Sequence, residues 1–147
     1  MKRKTKLAFA TAALTGAGAL AGVAVATPAH ASGQYCSDTQ FNVCVTVDGY
    51  SNYIDWVKAT ATSTMSIGFD THVQLTNPNG VTLCNSATSV ANGPGLVQSC
   101  TSNLNAWTVT GNYCATEWEY IPGTGAGIGG SGWYTSIGKS CLYVFTQ

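Results

Sequence analysis

The apolar residues beyond position 31 follow no helical period, because no stretch keeps them three and four positions apart for three turns. β-branched and aromatic residues are instead spread along this whole region, which is typical of strands. The pattern therefore predicts strands only. The candidates are Asn42 to Val47, Tyr53 to Thr60, Thr64 to Phe69, His72 to Thr76, Val81 to Cys84, Asn105 to Thr110, Tyr113 to Tyr120 and Ser140 to Thr146.

Turn residues separate most of these strands. Asn77-Pro78-Asn79-Gly80 predicts a tight turn, since proline presets the first turn angle and glycine closes it, and Gly111-Asn112 is a hairpin signal. About eight short antiparallel strands predict an all-β fold, an immunoglobulin-like antiparallel β-sandwich, with a small barrel as the alternative. Two segments are predicted as loops: Asn85 to Ser99, and the glycine-rich Pro122 to Gly132.

The first 31 residues have a different character. A basic start (residues 2–6) precedes an apolar stretch from Leu7 to Val25, and Ala29 and Ala31 supply the small residues of a cleavage site after Ala31. Glycines weaken this stretch as a membrane helix, and no later run approaches about 20 apolar residues. We therefore expect a signal peptide at residues 1–31 and a single secreted domain from Ser32 to Gln147.

Removal of the leader changes the charge. The precursor is formally neutral, but the mature region has six carboxylates, no arginine and only Lys58 and Lys139 as cations. Its net charge is therefore −4. Nucleic acid and anionic membrane surfaces are bound by clusters of Lys and Arg, so we expect neither as a partner.

All six cysteines lie beyond the leader, and an even number in an exported chain predicts three disulfides. A metal site is the alternative, but there is no Cys-x-x-Cys pair, and His72 is the one histidine of the mature region. We expect no metal and no other cofactor. The local pairing is favoured because each bridge then closes one loop or joins two successive strands: Cys36 with Cys44, Cys84 with Cys100, and Cys114 with Cys141.

A second pairing follows from the order of Cys44, Trp56 and Cys114. These residues are spaced approximately as in an immunoglobulin domain, where a tryptophan packs against a bridge between the two sheets. The tyrosine that usually stands two positions before the second cysteine is absent, since Asn112 occupies that place. The spacing supports a sandwich and leaves a Cys44 to Cys114 bridge as the weaker alternative.

Candidates for catalysis are few. Glu117 and Glu119 lie two positions apart on a predicted strand and share one face, where two carboxylates could cleave a glycoside. We expect that face to be solvated and the intervening aromatic residues to be buried. Asp70 and His72 could orient a base for a serine, but no G-x-S-x-G elbow is present, and the G-x-G-x-x-G of the glycine loop is followed by no helix. We therefore expect no enzyme.

Tryptophan and tyrosine are abundant. Three tryptophans lie in the middle of predicted strands and are expected in the core: Trp56, Trp107 and Trp118. Trp133 and Tyr134 instead follow the glycine loop, where an aromatic pair can anchor a protein partner or stack on a sugar ring. We predict Trp133 and Tyr134 as the partner-binding residues, assisted by the N-terminal segment Ser32 to Phe41.

The segments SGQYCSDTQFNVC (residues 32–44) and GNYCATEWEY (residues 111–120), with the leader, the low charge and the six cysteines, resemble small secreted proteins of filamentous actinomycetes. Within that group the chain resembles the adaptor subunits of large secreted toxin particles. The resemblance implies a small exported β domain that joins a lectin-like subunit to a scaffold. It includes no motif from which functional residues can be transferred.

Together these observations predict a secreted, extracellular, non-catalytic binding protein. The expected partner is another secreted protein, which the chain would bind as an adaptor or as a component of a larger, toxin-like complex. Three alternatives stay open. They are a carbohydrate-binding module that uses Trp133 or Tyr134, a protease inhibitor that presents Asn85 to Ser99, and a small glycoside hydrolase that uses Glu117 and Glu119.

Overall fold

The structure is a computed structural model of the chain, and it describes residues 32–38, 41–66, 68–107, 109–123 and 132–145. The predicted signal peptide and the middle of the predicted glycine loop lie outside these ranges. Within them the chain forms nine strands and contains no helix long and apolar enough to cross a membrane. The strands are β1 (Gly33–Asp38), β2 (Phe41–Tyr50), β3 (Tyr53–Ser63), β4 (Asp70–Thr76), β5 (Thr82–Asn85), β6 (Ser89–Val90), β7 (Val97–Trp107), β8 (Gly111–Ile121) and β9 (Trp133–Val144).

The strands form two antiparallel sheets in a sandwich, which confirms the predicted fold. The first sheet has the order β1-β2-β3-β7, and the second has the order β5-β4-β8-β9, with β6 paired to the start of β4. Successive strands pair in β1–β2, β2–β3, β4–β5 and β8–β9. The chain crosses from one sheet to the other after β3, after β6 and after β7.

Several predicted strand boundaries are wrong. Thr64 to Phe69 is irregular wherever it is described, because it carries the chain between the sheets. β7 begins at Val97 and β9 at Trp133, well before the predicted starts. Both early segments are rich in Ser, Thr, Asn and Gly, and pairing with β3 and with β8 overrides that composition.

The two predicted turns have different outcomes. At Asn77 to Gly80 the turn is confirmed: the Gly80 N–H donates to the Asn77 carbonyl at 2.9 Å, and the Asn77 side chain accepts from the Val81 N–H at 2.9 Å. Gly111-Asn112 is not a hairpin, since β7 and β8 belong to different sheets. Glycine is needed at 111 because φ is 145° there and a Cβ atom would lie 2.7 Å from the Pro78 ring.

Small aliphatic side chains fill the space between the sheets. Phe41 and Tyr113 are the aromatic members of the buried core that the structure describes. The prediction that Trp56, Trp107 and Trp118 are core residues is wrong, because all three point outward from their sheets. The other core residues are Val43, Val45, Val47, Ile54, Val57, Ala59, Ala61, Val73, Leu75, Ala91, Cys100, Ala115 and Val144.

The three disulfides follow the predicted local pairing. Cys36–Cys44 joins β1 to β2, Cys114–Cys141 joins β8 to β9, and Cys84–Cys100 joins the two sheets through β5 and β7. The alternative Cys44 to Cys114 bridge is not formed. Each of these two cysteines lies between inward-facing neighbours and points away from the other sheet.

The β2–β3 hairpin closes over Gly49, which generates the first stability prediction. A Cβ atom at this position would overlap the Tyr53 carbonyl oxygen and lie 2.9 Å from the Ile54 Cα. We expect Gly49→Ala to lower the free energy of unfolding by about 2 kcal/mol, because backbone atoms must move to admit the methyl group. Urea unfolding measures the change. Gly68→Ala is the control, since nothing lies within 4 Å of its added Cβ, and equal stability of the two variants would contradict the expectation.

Candidate binding surfaces

Four aromatic rings form a cluster on the outer face of the second sheet. In this Tyr134 cluster, His72 lies opposite Trp118 on β4 and β8, and Tyr120 lies opposite Tyr134 on β8 and β9. The Tyr134 ring meets the edge of His72 at 4.8 Å and packs at 5.4 Å against Tyr120. Tyr134 is 44% exposed and forms the accessible top of the cluster.

A bulge in β9 points Tyr134 outward. Ser140 and Gly138 face the core opposite Ala115 and Glu117, but the register then shifts, and Ile137 is the extra residue. Without the bulge, the regular alternation of side chains along β9 would have placed Tyr134 on the inner face of the sheet. The bulge therefore turns Tyr134 outward. The Gly132 N–H donates to the Tyr120 hydroxyl at 3.1 Å, and a side chain at 132 would overlap the Tyr120 ring.

The underside of the Tyr134 cluster is buried. His72 Nδ1 and Trp118 Nε1 are buried and have no hydrogen-bond partner among the described residues. Burial lowers the pKa of His72, so its imidazole is neutral at pH 7. The cluster therefore offers aromatic surface and hydroxyl groups, and no charge of its own.

Trp133 and Tyr134, the predicted partner-binding pair, do not form one platform. Trp133 lies opposite Ile121 on the inward-facing side of β9, at the open end of the sandwich, and is 56% exposed. Tyr134 points to the outer face. Both residues lie on β9, which is an edge strand. Within the described ranges β8 is the one strand paired with β9, so the other edge of β9 is free.

The N-terminal segment, the other predicted recognition element, is mostly the edge strand β1. It pairs with β2 from Gly33 to Asp38, and Ser32 Oγ donates to Asp48 at 2.9 Å. Ser140 Oγ donates to the Tyr35 carbonyl at 2.7 Å, which fixes β1 above β9. Residues 39 and 40 lie outside the described residues.

The loop proposed for protease inhibition, Asn85 to Ser99, is held against the sandwich. Thr71 Oγ1 donates to the Ser89 carbonyl at 3.1 Å, and Ala91 is buried in the core. Ser63 Oγ donates to the Gly93 carbonyl and accepts from the Leu96 N–H, each at 2.9 Å. These hydrogen bonds hold the loop close to the two sheets.

Glu117 lies inside the sandwich, so the expectation of a solvated face is wrong at this residue. Its exposed fraction is 0%, and neither carboxyl oxygen has a hydrogen-bond partner among the described residues. Glu117 shares the inner face with Ala115 and Val73, and Trp118 takes the outer face. Glu119 is partly exposed at the open end. A fully covered Glu117 lacks the access to substrate that a glycosidic acid needs.

The surroundings of Glu117 favour its protonated form. Desolvation raises the pKa of Glu117 to about 7, and the nearby Thr71 side chain acts weakly in the opposite direction. The Thr71 hydroxyl is already engaged, because it donates to the Ser89 carbonyl and accepts from Gln98 Nε2 at 3.1 Å. Gln98 Oε1 is buried without a partner among the described residues and can accept a hydrogen bond from a protonated carboxyl group. This group of Gln98, Thr71 and Glu117 is the polar layer of the core.

No protein-family model, no curated protein and no solved structure matches the chain. Among the described residues, no group of three His, Cys, Asp or Glu side chains is placed to hold a metal ion. The surfaces therefore have to be interpreted from their own geometry and chemistry.

The polar layer predicts how stability depends on pH. The pKa of Glu117 is about 7 in the folded protein against an ordinary value of 4.5, so the folded chain keeps a proton that the unfolded chain releases. The free energy of unfolding should fall as pH rises through this window, by up to about 1.4 kcal/mol per pH unit. The lowered pKa of His72 has the opposite effect: below its ordinary value of 6.5, its contribution makes the free energy of unfolding rise with pH.

Glu117→Gln isolates the contribution of this carboxyl group. We expect the variant to match the original protein near pH 4.5 and to become more stable than it as pH rises to about 7, because an amide cannot ionise. Urea unfolding at several pH values measures the difference, and Glu119→Gln is the control at the partly exposed neighbour. A difference that is the same at every pH would show that folding does not raise the pKa of Glu117.

Proposed function

We propose that the chain is an exported, non-catalytic binding protein, and that it binds another polypeptide by adding a strand of that partner to the free edge of β9. The observation that carries the proposal is this edge, which bears Trp133 and Tyr134 at its start. Main-chain groups at an open sheet edge are matched by another polypeptide backbone, and by little else. This edge therefore favours a protein partner over a sugar at this site.

The register identifies the main-chain groups that are available. The Cα atoms of Cys114 and Cys141 are 4.1 Å apart, the close spacing of a non-hydrogen-bonded antiparallel pair. Alternation along β8 assigns the same type to the pairs of Trp118 with Ser136 and of Tyr120 with Tyr134. The N–H and C=O groups of Ser136 and Tyr134 therefore point away from β8, toward an incoming strand.

The two aromatic side chains suit this mode of binding because they lie on opposite faces of β9. A strand beside β9 also alternates its side chains, so one set would contact Trp133 and the other set Tyr134. Both aromatic residues are about half exposed and can become buried on binding. Aromatic anchors of this kind often contribute more than about 2 kcal/mol to an interface.

The middle of β9 limits how far an added strand can extend. The Ile137 bulge interrupts the regular edge, and the exposed Lys139 follows it. Bulges and lysines are common means of protecting a sheet edge from uncontrolled pairing. Beyond them β1 lies above β9. The proposed pairing is thus confined to the segment Trp133 to Ser136, which keeps it specific.

The test is the recovery of protein partners by the tagged mature protein from the culture medium of its source. We expect a stoichiometric protein partner with the original chain, and its loss with Ser136→Pro, because proline removes the outward N–H and leaves the bonds to β8 in place. Ser136→Ala should keep the partner. Thermal unfolding of each variant checks that the sandwich is intact.

Side-chain variants test the anchors separately. Tyr134→Ala should weaken partner binding at least tenfold, whereas Tyr143→Ala should not, although Tyr143 is 57% exposed on the same strand. Binding that survives both Ser136→Pro and Tyr134→Ala would exclude the β9 edge. Release of the partner by soluble oligosaccharides would favour the carbohydrate-binding alternative.

A further inference from the structure

Three aromatic rings form a row across the outer face of the first sheet, away from the β9 edge. In this aromatic row, Tyr50 stacks on Tyr53 with centroids 5.4 Å apart, and Tyr53 meets Trp107 edge to face at 5.7 Å. The three residues occupy matching register positions on β2, β3 and β7. Tyr50 is 53% exposed and Trp107 is 75% exposed, so the two ends of the row are open to solvent.

The backbone is shaped to create this row. Gly49 lets β2 approach β3 closely, and a two-residue loop with Ser51 at a φ of 51° then closes the hairpin between the two tyrosines. The register of β3 shifts between Ile54 and Trp56. Because of this shift Ile54 faces the core and Tyr53 faces outward, the reverse of what continued alternation from Val57 would give.

Polar side chains continue the face beside the row. Trp56, Lys58, Thr101 and Asn103 line an open depression of about 360 Å³ on β3 and β7. Trp56 lies opposite Asn103, and Lys58 lies opposite Thr101, so an aromatic ring, an ammonium, a hydroxyl and an amide lie side by side. The depression lies on β3 and β7, two of the three strands that carry the aromatic row.

The outer surface of β2, β3 and β7 is mainly aromatic and polar. Among the described residues that face outward on β2, β3 and β7, Val97 is the one aliphatic side chain, and the others are aromatic, hydroxyl, amide or charged residues and Cys44. Lys58 is the one cation of these strands. A single lysine in a region of net charge −4 does not attract a polyanion.

We propose that the outer face of the first sheet is a binding site for a neutral glycan chain. Sugar rings have apolar C–H faces that stack on aromatic rings, and their hydroxyl groups exchange hydrogen bonds with amide, hydroxyl and ammonium groups. Trp107 and Tyr50 supply the stacking surfaces, and Lys58, Thr101 and Asn103 bind the hydroxyl groups.

This site is independent of the proposed strand addition. The glycan face belongs to the first sheet and the β9 edge to the second, and the aromatic row lies at the β2–β3 hairpin, far from Tyr134 in the register of the sandwich. Both surfaces can therefore be occupied at once. A domain with two such sites would join a protein partner to a polysaccharide.

The experiment measures binding of the mature protein to immobilised neutral polysaccharides: cellulose, chitin, xylan and mannan. We expect retention on at least one of them, with a reduction of at least tenfold for Trp107→Ala and a smaller reduction for Asn103→Ala. Tyr143→Ala is the control, because it removes an exposed aromatic side chain from the other sheet and should be retained like the original protein. Thermal unfolding confirms that each variant is folded.

The outcomes separate this site from the β9 edge. Ser136→Pro should keep glycan binding, and Trp107→Ala should keep the protein partner, so either proposal can fail without the other. Soluble fragments of the retained polysaccharide should elute the protein, whereas an anionic polysaccharide should not. Retention on none of the four polysaccharides, or equal loss in Trp107→Ala and Tyr143→Ala, would overturn the assignment.

Discussion

The space between the two sheets, which is filled mainly by small side chains, is the constraint on which the rest of the molecule depends. Its inner faces carry mainly Val and Ala, with Phe41 and Tyr113 as the aromatic residues of the described core. Buried aliphatic side chains of this size contribute about 1.5–3 kcal/mol each at most. No indole ring belongs to this core, since all four tryptophans lie outside it.

The disulfides complement this core of small side chains. Two of them tie neighbouring strands, β1 to β2 and β8 to β9, and the third, Cys84–Cys100, fixes one sheet to the other where β5 is short. The polar layer acts on the same gap between the sheets, since Gln98 Nε2 on β7 donates to the Thr71 carbonyl on β4 at 2.8 Å. The carboxyl of Glu117 in the same layer lowers stability when it ionises, because the desolvation of a charge is costly. The hydrogen bond from Gln98 to Thr71 links the two sheets directly.

The sequence was sufficient to predict the sandwich architecture and the pairing of the disulfides. Strand-forming composition and turn chemistry at Asn77 to Gly80 are local properties, and successive cysteines pair within one hairpin or across one loop. Orientation was harder to predict. A strand with alternating Glu and aromatic residues at 117–120 is compatible with either face inward, and the usual solvation of carboxylates favoured the wrong one. The faces of Tyr53 and Tyr134 depend on register shifts, which have no signature in a single sequence.

These register shifts connect the fold to recognition. Each sheet contains one strand in which a shift turns a tyrosine outward, Tyr53 on β3 and Tyr134 on β9, while the flanking residues Ile54 and Gly138 still face inward. Regular alternation would have turned both tyrosines toward the core, which is filled mainly by small side chains. A bulge thus satisfies the packing constraint and creates an exposed aromatic surface in one step, which is why such irregularities often accompany functional sites. Because the shifts occur in different sheets and toward opposite ends, the two aromatic surfaces face away from each other, as two independent binding sites require.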